Sequence, residues 1–164
     1  RVYAVDVGYG ILDWKIRNDS RVVVMERQNA RYVQGFPERI DLVVVDASFI
    51  SLRTLLPVVR DWFGNVSGEV IPLIKPQFEA GREQTARGSG VIRDPEIHKN
   101  VLREVLTFAE GEDYEVKGLI KSPLTGPKGN IEFLAHLICP KTVETDIEAL
   151  IETIAWPEKP AEED

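Results

Sequence analysis

The chain has a single cysteine, two histidines and no long apolar run, and each shortage removes a class of chemistry. Cys139 has no second thiol for an internal disulfide, and His98 and His136 stand too far apart in sequence for zinc-ligand spacing, so no structural metal is expected. No stretch approaches the roughly 18 apolar residues that a membrane-crossing helix needs. The N-terminus shows no signal-peptide pattern. Together these shortages predict a soluble, cytoplasmic protein with no membrane partner. At 164 residues, 43% hydrophobic and 29% charged, one domain with a real core is expected.

Basic charge is also in deficit, with a formal net charge of −7. The deficit is local, because residues 141–164 hold eight acids against Lys141 and Lys159. Residues 1–140 are nearly neutral, with 18 basic and 19 acidic side chains. Their basic residues gather at Lys75, Arg82, Arg87, Arg93, Lys99 and Arg103 against four acids. Such a cluster suits phosphate contacts, and equally a solvated loop and helix face.

Against these shortages stand two short, β-branched runs that each end in a charge. Asp41 to Ser51 reads Asp-Leu-Val-Val-Val-Asp-Ala-Ser-Phe-Ile-Ser, and Ile71 to Glu79 reads Ile-Pro-Leu-Ile-Lys-Pro-Gln-Phe-Glu. Buried parallel strands look like this when their carboxyl ends, here Asp46 and Lys75, open onto a site. Between them, Leu52, Leu55, Leu56, Val59 and Phe63 form an amphipathic stripe with Ser51 at the cap position. In a strand–helix–strand unit both strands run parallel. Asp46 and Lys75 are therefore expected at one sheet edge, where open α/β folds bind ligands. Taken singly, Asp46 reads equally as a helix cap or turn former, and Lys75 as a solvated strand end.

Val2 to Val7 reads as a strand that ends at Asp6, before Gly8-Tyr9-Gly10. An acid there can accept hydrogen bonds from ribose hydroxyls, although a turn aspartate is the simpler reading. Leu12 to Asn18 is a short helix and Arg21 to Met25 the next strand. Asn29, in the loop that follows, has an amide suited to an adenine edge or to a turn. Ala80 to Asp94 is a long loop with no apolar periodicity. Asp94-Pro95 starts a helix whose buried stripe is Ile97, Val101, Leu102, Val105, Leu106 and Ala109. Tyr114 to Ile120 alternates as a strand, and the turn Ser122 to Gly129 reverses the chain into an antiparallel last strand, Asn130 to Ile138. That strand begins where the parallel strands end, so Glu132 is expected to share an edge with Asp6, Asp46 and Lys75. His136 reads as packed or solvent-facing. Thr142 to Trp156 is a terminal helix, and residues 157–164 form an acidic tail beyond a domain over 1–156.

Four separated segments resemble, in order, the hemolysin A (TlyA) family: Val5 to Gly10, Asp46 to Ser51, Lys75 to Glu79, and Gly126 to Glu132 (Gly-Pro-Lys-Gly-Asn-Ile-Glu). That family belongs to the FtsJ-like class of S-adenosylmethionine-dependent RNA methyltransferases, and the match spans about residues 2–138. The resemblance implies a Rossmann-like class I methyltransferase sheet, mostly parallel with an antiparallel last strand. It further implies 2′-O-methylation of cytidine in ribosomal RNA, with S-adenosyl-L-methionine as cofactor and ribosomal RNA or ribosomal subunits as partner. Carried over, Asp6 holds the cofactor ribose, Asn29 lies near its adenine, and Asp46 touches its methionine end. Asp46, Lys75 and Glu132 match three members of the family's Lys-Asp-Lys-Glu catalytic set, which needs no metal. The departure is at the front. The RNA-binding S4 domain, the first catalytic lysine, the first strand and the glycine-rich loop of the family have no counterpart here. The first strand of this fold lies centrally, between the second and the fourth. The expectation is therefore a partial FtsJ-like domain, a fragment or a truncated product, with unpaired backbone and apolar surface in mid-sheet and little or no affinity for the cofactor.

Three other readings stand beside it. One is a non-catalytic RNA- or ribosome-binding protein that uses the basic segment from Lys75 to Arg103. A haemolysin is disfavoured by the lack of a membrane-amphipathic segment. The third is a different nucleotide-binding α/β enzyme.

Overall fold

A computed structural model describes residues 1–81 and 90–156. Residues 82–89, which include Arg82 and Arg87 of the basic cluster, and the acidic tail 157–164 lie outside the described residues. The element order is β1 (Val2–Val5), α1 (Trp14–Arg17), β2 (Val22–Met25), β3 (Leu42–Val45), α2 (Leu52–Phe63), β4 (Gly68–Ile74), α3 (Pro76–Glu79), α4 (Pro95–Gly111), β5 (Glu115–Lys121), β6 (Phe133–Cys139) and α5 (Ile147–Glu152).

The strands form two sheets, a pair β1-β2 and a four-stranded sheet in the order β3-β4-β6-β5. β1 runs parallel to β2 and β3 parallel to β4, while β6 is antiparallel to both β4 and β5. The mostly parallel α/β architecture with an antiparallel last strand is thus present. Among the described residues, β1 pairs only with β2 and β3 only with β4. An open cavity of about 650 Å³ is lined by both β1 and β3.

Local chemistry explains the element boundaries. The stripe of α2 is buried as its spacing requires, at Leu52, Leu55, Leu56, Val59 and Phe63. After the helix the chain turns back so closely that a Cβ at Gly68 would lie 2.1 Å from the Phe63 ring. Asp94 caps α4 by accepting from the Glu96 amide at 2.9 Å, with Pro95 in the first turn. Buried Val101, Leu102, Val105, Leu106 and Ala109 then face the sheet, with Ile97 packed at the margin. Three elements are shorter than expected. β1 stops at Val5 because the Asp6 carboxylate accepts from the Gly8 amide at 2.6 Å and turns the chain. Helix α1 begins only at Trp14, capped by Asp13 through the Lys15 amide. Helix α5 spans only Ile147–Glu152, since Thr142 and Thr145 are committed elsewhere. The Thr145 amide donates to Glu110 at 2.8 Å and its hydroxyl to the Val116 carbonyl at 3.1 Å.

Thr142 bonds to the carboxylate of Glu115, a buried residue on β5 that also pairs with Lys117 at 2.6 Å. Hydrogen bonds from Lys117 and then from Thr142 pull the Glu115 carboxyl down from 4.5 to about 2. A folded-state value below the unfolded one means that this contribution to stability is complete above pH 4.5 and is lost as pH falls toward 2. Thermal melts across that window should show a steeper acid loss for the natural chain than for Glu115→Gln.

The sheet is covered unevenly. Alternate residues of β4 and β6, among them Val70, Ile74, Phe133, Ala135 and Leu137, are buried in one core with α2, α4 and α5. The residues between them face outward, and on β3 this leaves Val44 68% exposed.

Candidate active site

Asp46 and Lys75 follow directly on the last residues of the parallel strands β3 and β4. Their side chains meet, with Lys75 Nζ 2.6 Å from Asp46 Oδ1, and the same ammonium donates to Ser48 Oγ at 3.0 Å. The pair is asymmetric: the Lys75 side chain is 10% exposed and that of Asp46 69%. The lysine is rooted in the protein and the carboxylate opens outward. Pro76 starts α3 immediately after Lys75, which keeps Lys75 itself extended at the strand mouth.

A second carboxylate ties the two strand ends together. Glu79, buried on α3, accepts from the Ser51 hydroxyl at 2.6 Å and from the Leu52 amide at 2.7 Å. It therefore caps α2 alongside Ser51, whose Oγ accepts from the Arg53 amide at 3.1 Å. The segment carrying Lys75 is thereby fastened to the loop that carries Ser48. Glu79→Ala should cost about 1–3 kcal/mol, because it removes a cap and leaves buried donors unpaired. Chemical denaturation would measure this.

Glu132 lies one residue before β6 and is 6% exposed. Gln77 Nε2 donates to its Oε1 at 2.8 Å. The backbone comes very close on the other side, for a Cβ at Gly126 would lie 2.2 Å from Glu132 Oε1. Asn130 braces this turn, donating to the carbonyls of Gly90 and Pro127 at 3.0 Å each and accepting from the Ile92 amide at 3.1 Å. Ile92 is fixed in turn by buried His98, whose Nε2 lies 3.1 Å from its carbonyl. Lys75, Glu132, Ser48, Phe49, Phe78 and Lys128 line one cavity of about 890 Å³. Gln77 lines that cavity too, whereas Asp46 lines the cavity between β1 and β3.

Phe49 is 90% exposed, and its backbone sits at φ 63°, a conformation costly for a side chain of this size. Its ring lies 4.9 Å from that of Phe78, which also faces Lys75 Nζ at 5.9 Å. The result is an aromatic wall beside the ion pair.

Asp6 and Asn29 stand just past the ends of β1 and β2, joined by the Gln28 amide, which donates to the Asp6 carbonyl at 2.9 Å. They do not line the Lys75 cavity. Asn29 Oδ1 accepts from the Arg31 amide at 3.1 Å and caps a 3₁₀ turn, which is its turn-forming role. Asp6 is exposed, and its second oxygen has no hydrogen bond among the described residues. An exposed strand-end carboxylate with an oxygen to spare suits a diol such as ribose, and an amide Nδ2 suits a purine nitrogen. His136 is solvent-facing, paired with Glu69 at 2.7 Å.

Sequence reasoning did not single out Ser48, Phe49, Gln77, Glu79, Gly126 or Asn130. Each sits within a segment that resembles the TlyA family or next to a residue that does, and their partners only became visible once α3 and the 126–130 turn were folded against the strand ends.

A model of the FtsJ-like methyltransferase family matches residues 1–138. The chain belongs to that family. Membership brings with it a methyl donor as the second reactant. The Bacillus subtilis protein YqxC, named as a candidate rRNA methyltransferase, is 51% identical over 144 residues, covering 84% of this chain and 50% of its own. The 16S/23S rRNA (cytidine-2′-O)-methyltransferase TlyA of Mycobacterium tuberculosis is 44% identical over 138 residues, 83% of this chain and 51% of its own. A crystal structure of a candidate hemolysin from Lactococcus lactis superposes with TM-score 0.82 at 45% identity, covering 93% of this chain and 75% of that one. The chain spans about half the length of the curated relatives it matches. Among the described residues, no helix of this FtsJ-like chain is long and apolar enough to cross a membrane.

Proposed function

We propose that this FtsJ-like domain carries the reacting groups of a cytoplasmic rRNA methyltransferase that moves a methyl from S-adenosyl-L-methionine to a cytidine ribose 2′-hydroxyl. The observation that carries the reading is the Lys75–Asp46 pair at the carboxyl ends of two parallel strands, its lysine lining the cavity that Glu132 also lines. S-adenosylmethionine supplies a sulfonium methyl, already a strong electrophile, so the protein must mainly align the hydroxyl and remove its proton. Lys75 Nζ, held by Asp46 and Ser48, orients the hydroxyl oxygen. In its neutral form the Lys75 amine takes up that proton, and Asp46 holds the resulting ammonium. Glu132, gripped by Gln77, lines the same cavity as Lys75 and adds negative charge to it. Phe49 offers an exposed ring on which an unpaired base can stack, the usual way proteins hold single-stranded RNA. Asp6 would hold the cofactor ribose, Asn29 Nδ2 the adenine edge, and the outward oxygen of Asp46 the methionine ammonium. Ribosomal RNA or a ribosomal subunit is the partner.

Calorimetric titration with S-adenosylhomocysteine tests the cofactor assignment. This chain should bind weakly or not at all, and a version extended at its N-terminus through a further strand and a glycine-rich loop should bind. If neither binds, a non-catalytic RNA-binding role replaces the enzymatic one.

A further inference from the structure

Lys128 is held in a backbone conformation that other residues adopt more readily. It sits in the turn that presses Gly126 against Glu132, at φ 58° and ψ 18°, and Gly129 follows at φ 82°. Glycine and asparagine enter this left-handed region at much lower cost than lysine. The turn asks nothing of the lysine side chain. It closes through the backbone, the Gly129 amide donating to the Gly126 carbonyl at 3.0 Å and the Asn130 amide to the Pro127 carbonyl at 3.3 Å. Strain retained at one residue of a site points to a use for that residue's side chain.

The Lys128 ammonium is also free. Of the two lysines that line the cavity, Lys75 is neutralised by Asp46, whereas exposed Lys128 makes no ion pair among the described residues. Two more cations flank the same turn. Lys121 ends β5, where its register partner is Phe133, and Arg93 follows Ile92, whose amide Asn130 holds. Both are exposed and likewise unpaired among the described residues. The need for positive charge here is electrostatic. Glu132 places a carboxylate in the cavity wall, and the chain carries a net charge of −7, so an approaching polyanion is repelled unless a cation at the mouth offsets that field. A ribose whose 2′-hydroxyl lies on Lys75 carries a phosphodiester on the adjacent ring carbon. Lysine meets such a group as a point charge on a flexible stem.

We propose that Lys128 binds a backbone phosphate of the RNA strand at this cavity, beside the ribose that Lys75 orients, and that Lys121 and Arg93 continue the contact along the strand. This role rests on the RNA substrate of the functional reading, whether or not a methyl group is transferred. Lys128 sets affinity and register on the strand and takes no part in bond making.

The test titrates the chain as it is with a fluorescent single-stranded oligocytidine ribonucleotide over a series of salt concentrations, beside Lys128→Asn and Lys128→Arg. Asparagine accepts the left-handed backbone without the charge, and arginine keeps the charge. For Lys128→Asn the slope of log affinity against log salt should shrink by about 0.7, the share of one phosphate contact on a single strand. Affinity at low salt should fall about threefold to tenfold, with a melting temperature equal to or above that of the parent. Lys128→Arg should keep both slope and affinity. An unchanged slope in Lys128→Asn, an equal loss in both variants, or no RNA binding by the parent would overturn the proposal. So would a loss of S-adenosylhomocysteine affinity when Lys128→Asn is made in the N-terminally extended chain, because the cofactor carboxylate would then be the partner of the lysine. A reduced slope in a chain whose extended form neither binds the cofactor nor transfers methyl upholds the phosphate contact and removes the enzymatic reading alone.

Discussion

Lys75→Ala, made in a form of the chain that binds S-adenosylhomocysteine, is expected to lower methyl transfer by about 10²–10⁴-fold while leaving cofactor affinity nearly unchanged. The separation follows from what Lys75 touches. Its ammonium meets one oxygen of Asp46 and Ser48 and lines the cavity shared with Glu132, which leaves the outward oxygen of Asp46 for the cofactor, and Asp6 and Asn29 do not line that cavity. The variant should also keep its fold. Truncating a lysine strands a buried carboxylate in many proteins, but the Asp46 side chain is 69% exposed and water replaces the lost partner. Single-turnover transfer measured beside calorimetry checks both halves of the prediction. A large loss of cofactor binding would refute the role given to Lys75.

Gly126→Ala should have the second-largest effect, although residue 126 has no side chain to react. Its backbone is ordinary, at φ −72°, so the substitution introduces no conformational strain. What it introduces is a methyl group 2.2 Å from one Glu132 carboxylate oxygen and 2.6 Å from the carboxyl carbon. The carboxylate must move, and the Gln77 bond at 2.8 Å moves or breaks with it. A displacement of this order at a reacting group typically costs about 10²-fold in rate. Transfer should fall by that factor with a melting temperature within a few degrees of the parent. Unimpaired transfer would show that the position of Glu132 is irrelevant to the reaction.

Much of this arrangement was legible in the sequence. A β-branched run that stops at a charge fixes the strand and its mouth together, which is why Asp46 and Lys75 fell at matching ends of β3 and β4. The turn at Ser122 to Gly129 required a reversal, and β6 is antiparallel on both sides. β1 and β3 belong to separate sheets and line one cavity between them. Sequence periodicity was weaker where side-chain bonds outweigh it. Thr142 to Asp146 carries no helix breaker, yet Glu115 and Glu110 hold its threonines and delay α5 to Ile147. The grip of Glu79 on Ser51 and Leu52, and of Gln77 on Glu132, joins residues 27 to 55 positions apart. No local pattern encodes such pairs. Asp6 and Asn29 stand just past β1 and β2, in the other sheet, and do not line the cavity of Lys75.

The most direct test of the methyl-transfer account is to map the product. The extended chain would be incubated with methyl-labelled S-adenosylmethionine and ribosomal subunits, and the RNA digested to nucleosides. The account predicts label in 2′-O-methylcytidine, released from alkali as a resistant dinucleotide and absent with Lys75→Ala. Label on a base, or unchanged ribose label in the Lys75 variant, would contradict it.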